Sequence, residues 1–413
     1  NIISADNRMQ VIDAEGKILF PGMIDDQVHC REPGLTHKGD LVTESTAAVA
    51  GGVTSFLDMP NVEPQTTSRV ELAKKYSNAE GRCLTNYGFY IGATNTNIEE
   101  IKALQLDEAC GIKAFMGAST GNMLVDDPEA LENLFLHSPI MVVTHCEHSP
   151  TIFDNEHQAR IKYGENVPIA EHANIRSAEA CLLSSELAVN LASKHDALLH
   201  VLHLTTEIEM PLFKIGSRKN KRITGEVCVH HLWFDSSDYE NLGTKIKCNP
   251  SIKTSNDREA LIKAVKEGRI DVIATDHAPH TLEEKNQSYF DAPSGLPLVQ
   301  HVLQCLLDMV KKGHFSYEDV VDKVAHAPAD IFGIKDRGYI REGYFADLVL
   351  IDTTKNFTVN DHNLHFKCGW SPFNNYTFSS TIDMTFVNGK IVYHDSIVAN
   401  QAVGKRLQFA RLR

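Results

Sequence analysis

Eight short, β-rich apolar runs recur along the chain: "MIDDQVH", "VTSFLDMP", "NYGFYIGAT", "IKAFMGA", "IMVVTHC", "LLHVLHL", "ITGEVCVHH" and "IDVIATDHAPH". Most are separated by stretches with helical spacing. "ESTAAVAGG" closes on Gly51-Gly52, a helix stop. "RSAEACLLSSELAVNLASKH" is longer and carries apolar residues at helical intervals. "SNDREALIKAVKEGRI" puts Ala260, Leu261, Ala264 and Val265 on one face and stops at Gly268. Strands alternating with helices predict a parallel sheet covered by helices, and eight alternations are the number that closes a (β/α)8 barrel. After residue 335 the pattern changes to strands and turns, with an Asn388-Gly389 hairpin signal. The opening residues, ending "VIDAEGKILFPG", read as short strands too. The expected fold is α/β: a TIM-like (β/α)8 barrel over 21–335, with a small β domain formed from the chain ends, 1–20 and 336–413.

Composition adds limits. A chain of 413 residues with 42% apolar content can bury a sizeable core, and a barrel absorbs about 250 residues as one domain. The net charge of -14, with both signs interspersed, argues against a nucleic-acid partner. No 18-residue apolar run predicts a transmembrane helix, and no signal peptide is visible. The nine cysteines are scattered, odd in number and never spaced C-x-x-C, which fits the reduced thiols of a cytoplasmic protein. Asn1 opens the chain in place of Met, so the natural N-terminus is expected to be missing.

In a barrel, catalytic groups sit at the C-terminal ends of the strands. Here His29, Asn61, His145, His203 and Asp276 fall at such ends, and Lys113 lies within the fourth strand. One histidine at a strand end is usually structural; five polar groups sharing that placement, with a lysine inside a further strand, point to a site. Lys113 sits among Ile112, Ala114, Phe115 and Met116, where an ammonium is costly. Burial favours the neutral amine, which reacts with carbon dioxide to give a carbamate able to bridge two cations. The plain alternative is a lysine snorkelling to the surface. Histidine and carboxylate ligands suit zinc, with manganese or cobalt as substitutes. The implied chemistry is metal-assisted hydrolysis of an amide, or its reverse, with Asp276 moving the proton. In "DDQVHCREPG", however, the residue two before His29 is an amide, Gln27.

Across nearly its whole length the chain resembles the amidohydrolase superfamily and, within it, the dihydroorotase branch. The matching stretches are "PGMIDDQVHCREPG", "AAVAGGVTSFLDMPN", "GIKAFMGAS", "THCEH", "LHLTT", "GEVCVHHL", "ATDHAPH", "ADLVLIDTT" and "VNGKIVY". "REPG" and "MPN" are the more specific, because they separate this branch from other cyclic amidases. The resemblance implies reversible ring closure of N-carbamoyl-L-aspartate to L-dihydroorotate in pyrimidine synthesis. It implies one or two zinc ions: the first held by His29 and Asp276, the second by His145 and His203, with carbamylated Lys113 bridging. Asp276 would also serve as base and acid. Arg31 and Asn61, helped by His280, would hold the substrate carboxylate, and Arg31's planar fork suits that task. Asn249 and the loop around Gly295 would contact or cover the ring, although turn formation explains each equally well. A homo-oligomer, or a transcarbamoylase partner, is implied as well.

The chain departs from the family at several positions. His-x-His is replaced by Gln27-Val28-His29, leaving a neutral amide oxygen as a poorer ligand for the first metal. His148 stands where an acid is usual, and Lys253 where an arginine is common. His230 and His231 are expected to be structural. The chain looks shorter at its front than family members, so Asn1 is expected to lie inside the natural domain. Two other readings stand beside the dihydroorotase: another cyclic amidase, hydantoinase or allantoinase, whose substrates lack the dihydroorotate carboxylate, and an inactive barrel kept as an assembly partner.

Overall fold

The computed structural model describes residues 11–117 and 123–410. All eight apolar runs form parallel strands: β1 (Met23–Val28), β2 (Val53–Asp58), β3 (Asn86–Phe89, continued by Ile91–Gly92), β4 (Ile112–Phe115), β5 (Val142–His145), β6 (Leu199–Val201), β7 (Ile223–Cys228) and β8 (Val272–Ala274). Tyr90 interrupts β3, so its first part pairs with β2 and its second with β4. Closure comes from β8 meeting β1. His277 bridges Val28 in parallel, the His29 amide donates to the His277 carbonyl at 2.7 Å, and Thr275 Oγ1 donates to Asp25 at 2.6 Å. The fold is a (β/α)8 barrel with a β domain beside it.

Helices cover the strands where the apolar spacing predicts them. Leu41–Ala50 is capped by Asp40 and ends at Gly51. Both Gly51 and Gly52 are required at that end: a Cβ on Gly51 would lie 2.5 Å from the Val299 carbonyl, and Gly52 has a φ of +83°. Ala178–His195 and Ser255–Glu267 carry the two longest helical patterns, the second capped by Thr254 and closed by Gly268 in the left-handed region. The connection from β6 to β7 differs from the regular pattern. It holds only 3₁₀ turns, Glu207–Leu212 and Arg218–Asn220, because Pro211 and Gly216 interrupt any longer helix.

Beside the barrel lies a five-stranded antiparallel sheet in the order Ile18–Pro21, Leu348–Asp352, Thr381–Val387, Lys390–His394 and Ile397–Val398. Asn388 (φ +52°) and Gly389 (φ +75°) form its two-residue hairpin turn, as their sequence signal indicates. Of the opening residues, 11–17 are turn and irregular chain, and 1–10 lie outside the described residues. The C-terminal stretch leaves the sheet: Arg406 bridges Tyr87 of β3, and Phe409 bridges Ile334. No helix among the described residues is long and apolar enough to cross a membrane.

Asp347 ties the sheet to the barrel. Its carboxylate accepts from Asn86 of β3 at 3.1 Å and from the Asn388 amide at 2.7 Å, and it pairs with Arg337, both partners being buried. Removing one partner of a buried pair leaves an uncompensated charge, at a cost of about 3–5 kcal/mol. Asp347→Ala is therefore expected to lower unfolding stability by about that amount in a denaturant titration, whereas the exposed-pair variant Lys74→Ala changes it by less than about 1 kcal/mol.

Candidate active site

One pocket opens at the C-terminal ends of the strands, and all eleven residues singled out in the sequence line it: Gln27, His29, Arg31, Asn61, Lys113, His145, His203, Asn249, Asp276, His280 and Gly295. Phe115, Ala278 and Ser294 complete the lining. Three of these side chains leave the strand ends through strained backbone. Arg31 (φ +66°), His203 (φ +39°) and Asp276 (φ +47°) occupy the left-handed region, which costs non-glycine residues about 1–3 kcal/mol each and collects at functional sites.

The nitrogen and oxygen atoms on one side of the pocket converge with too few protons to go round. His29 Nδ1 lies 2.9 Å from Asn61 Oδ1, and its Nε2 lies 3.1 Å from Asp276 Oδ1. Burial, the largest influence on His29, lowers its pKa, so the ring is neutral and has one N–H for two acceptors. With that hydrogen on Asn61, the Nε2 lone pair faces a carboxylate. His145 too is contacted at both ring nitrogens. Its Nε2 lies 2.9 Å from Glu147, while Nδ1 faces His203 Nε2 at 3.0 Å. His203 Nδ1 has no hydrogen-bond partner among the described residues. Burial, and next the neighbouring His145, hold the His203 ring well below the usual imidazole range. Lys113 is 1% exposed, its ammonium faces the Phe115 ring at 4.7 Å, and burial pushes its pKa down to about 8. Imidazole and carboxylate atoms converging across about 3 Å, beside a buried amine, fit ligands spaced around divalent cations.

Burial raises the Asp276 carboxyl, but the His29 contact, then His230 and Lys113, outweigh it and hold the pKa below the usual carboxylate value. An ionised carboxylate is thus kept in the pocket. Gln27 donates Nε2–H to the same Oδ1 at 3.0 Å, and its Oε1 lies 3.7 Å from Cys228 Sγ.

The opposite side of the pocket is cationic. Arg31 Nε donates to the Pro279 carbonyl at 3.0 Å, and its Nη2 lies 3.0 Å from His280 Nε2. Lys38 Nζ lies 3.1 Å from His280 Nδ1. Burial first, then Arg31, Lys38 and Lys285, push His280 well below the usual imidazole range, so it is neutral among three basic side chains. Lys285 is fully buried, with a pKa lowered by burial to about 7, and donates to the carbonyls of Lys247, Pro293 and Gly295. It thereby holds the loop over the pocket. Ser294 of that loop donates to Asn249 Oδ1 at 3.0 Å, and a Cβ on Gly295 would lie 2.4 Å from the Ala278 carbonyl.

Asn61 differs from its expected use in part: its carbonyl oxygen faces His29, and the amide NH2 is left for a ligand. Glu147, Arg176, Lys38 and Lys285 carry no signal in the linear sequence. Glu147 is paired with Arg176 and His145, which hold its carboxyl down at about 2 against the raising effect of burial. It steers the His145 ring. His230 and His231 are buried beside each other, outside the pocket lining.

The family model for the amidohydrolase family matches residues 18–392. The chain belongs to the amidohydrolase family. Among similar members are a dihydroorotase of Halobacterium salinarum, 33% identical over 92% of this chain and 87% of its own, and a dihydroorotase of Methanothermobacter thermautotrophicus, 31% identical over 94% and 86%. Similar solved amidohydrolase structures include an L-hydantoinase (dihydropyrimidinase) from Arthrobacter aurescens, with a TM-score of 0.91 at 25% identity over 98% of this chain and 93% of its own. A dihydropyrimidinase from Brevibacillus agri has a TM-score of 0.88 at 25% identity, over 98% and 92%.

Gln27 would offer a metal only an amide oxygen, a poorer ligand than an imidazole. Gln27→His is expected to raise zinc affinity at the His29 side by about 10-fold or more, read by competition with a chromophoric chelator. Unchanged affinity would show that position 27 takes no part in holding the ion.

Proposed function

We propose that the protein is a zinc-dependent dihydroorotase that interconverts N-carbamoyl-L-aspartate and L-dihydroorotate. The observation that carries this reading is the pairing, in one pocket, of a cation-ready cluster with the cationic end built by Arg31 beside neutral His280. The dihydroorotase relatives support it. His29, Asp276, His145, His203 and a carbamate on Lys113 would hold one or two zinc ions, with the Gln27 amide as a weaker ligand. Bound there, zinc would supply Lewis-acid polarisation of the amide carbonyl. Asp276, ionised and buried, accepts the proton of the attacking water in hydrolysis and returns it to the leaving nitrogen; ring closure runs the same transfers backwards. Arg31's remaining N–H groups, with the Asn61 amide, bind the substrate carboxylate. The Lys285-braced loop covers the ring. Self-association or a transcarbamoylase partner, and a cytoplasmic home, belong to the same proposal; nine cysteines without a disulfide support the last.

A hydantoinase-type activity is the second reading, favoured by the solved structures with the same fold. A ring without a carboxylate would leave the remaining N–H groups of Arg31 unused, which supports the first reading over this one. After supply of zinc and bicarbonate, turnover is expected with carbamoyl-aspartate and dihydroorotate and not with hydantoin; the reverse preference would overturn the proposal. Arg31→Ala is expected to retain metal and to raise KM for both substrates by about 10- to 100-fold, the value of a hydrogen bond to a charged group.

The carbamate needs a neutral amine. The Lys113 pKa of about 8 lies below that of an ordinary lysine, so the reactive form grows as pH rises through 8, is half formed there, and is nearly complete about one pH unit above. Activation of metal-free protein by bicarbonate and zinc should accelerate across that range and level off beyond. Lys113→Ala is expected to lose metal and activity, with partial recovery in a short carboxylic acid. Full metal retention would exclude the bridge.

A further inference from the structure

Three ionisable side chains meet across the barrel interior below the pocket, and the proposed reaction uses none of them. They are Asp26 of β1, His200 of β6 and Glu226 of β7, each 0% exposed. β1 neighbours β2 and β8, so Asp26 reaches β6 and β7 only through the barrel interior. Gln27 also reaches Cys228 of β7. Two consecutive residues of an ordinary strand point to opposite faces. The register of β1 against β2 shifts between Asp25 and Val28, and this irregularity lets both turn inward.

Hydrogen positions sharpen the problem. Thr224 Oγ1 donates to the Leu199 carbonyl and therefore accepts from His200 Nδ1, 2.7 Å away. Nδ1 carries the proton, so in the neutral ring the Nε2 lone pair faces two carboxylates. Asp26 Oδ2 is 3.2 Å from Nε2, and Glu226 Oε2 is 3.7 Å from it. Neither contact is aligned as a hydrogen bond: Nε2, both Asp26 oxygens and Glu226 Oε2 have no hydrogen-bond partner among the described residues. The surroundings include Leu202, Ile24 and the Phe332 ring. Burial lowers the His200 pKa, but Asp26 and then Glu226 outweigh it and raise it to about 9, while burial and then Asp26 raise that of Glu226 to about 7. An uncompensated charge is costly here. An imidazolium beside one ionised and one protonated carboxyl brings the cluster to zero, and so does a divalent cation with a neutral imidazole and two carboxylates. The three ligand atoms lie within 4.8 Å of one another, and ligands about 2.1 Å from a tetrahedral zinc stand about 3.4 Å apart. The two measured separations, 3.2 and 3.7 Å, bracket that spacing.

We propose that Asp26, His200 and Glu226 form a second, structural binding site for a divalent transition-metal cation of the zinc class, separate from the pocket. Two carboxylates and an imidazole suit such an ion. The site links β1, β6 and β7. Glu226 Oε1 also accepts the His203 amide at 3.0 Å, so the bound ion would brace the backbone that presents His203 to the pocket.

The test is independent of the reaction assigned to the pocket. Crystals of the intact protein grown with zinc are measured on both sides of the zinc absorption edge. An anomalous peak about 2.0–2.2 Å from His200 Nε2 and from an oxygen of each carboxylate is expected. No peak at that position overturns the proposal, whatever the pocket holds, and leaves an imidazolium ion pair as the account of the cluster. Asp26→Asn is expected to lose one equivalent of zinc per chain by elemental analysis, with the pocket's zinc retained; unchanged stoichiometry overturns the proposal too. Should that variant fail to fold, the anomalous map of the unaltered protein decides alone.

Discussion

The seam between the first and last barrel strands is the contact on which the pocket depends. Asp25 accepts the Thr275 hydroxyl, and the His29 amide donates to the His277 carbonyl. These bonds carry residues 27–31 to Asp276 and His280, some 249 positions away in the chain. Without the seam there is no His29–Asp276 contact and no Arg31–His280 contact. Burial first, and then the neighbouring Asp26, raise Asp25's carboxyl well above its usual value, against the donors of Thr275 and the Gln27 amide. A fold that buries such a group spends stability on closure, and what it gains is a fixed approach of β1 to β8.

Desolvation is the force that sorts the charges around this seam. The same low-polarity surroundings push Lys113 and Lys285 down, keep His29, His203 and His280 neutral, and would raise Asp276 were it not surrounded by nitrogen donors. Burial therefore yields a less basic amine and neutral imidazoles, while the nitrogen groups around Asp276 keep that carboxylate ionised. Arg31 keeps its charge in spite of burial, because guanidinium holds its proton far above neutral pH. One end of the pocket is thus permanently cationic while the other is a set of lone pairs.

Much of this was legible in the chain. Short β-rich apolar runs and helix stops mark the eight strands and most helices, since each of those signals is local. The pocket residues were legible because a closed barrel turns "end of strand" into "same place", so His145, His203 and Asp276 needed no contact information to be grouped. Glu147, Arg176, Lys38 and Lys285 were not, because each acts through a partner met only after folding: a charged residue in a loop reads as solvated surface. Asp26 was hidden for a different reason. It sits beside Gln27 in an apparently regular strand, and only the register shift reveals that both neighbours face inward.

Gln27 gathers these effects at one position. Its amide donates to Asp276 while its oxygen faces the Cys228 thiol, a weak donor and a weak acceptor. Turning the amide over would present the oxygen toward the His29 side and the NH2 toward sulfur, so the thiol tolerates either orientation. In one orientation Gln27 competes with a cation for the Asp276 carboxylate; in the other it joins the ligands. On the proposed ligand set, the amide would weaken the His29 side by offering Asp276 an alternative partner, and would leave Lys113, His145 and His203 untouched.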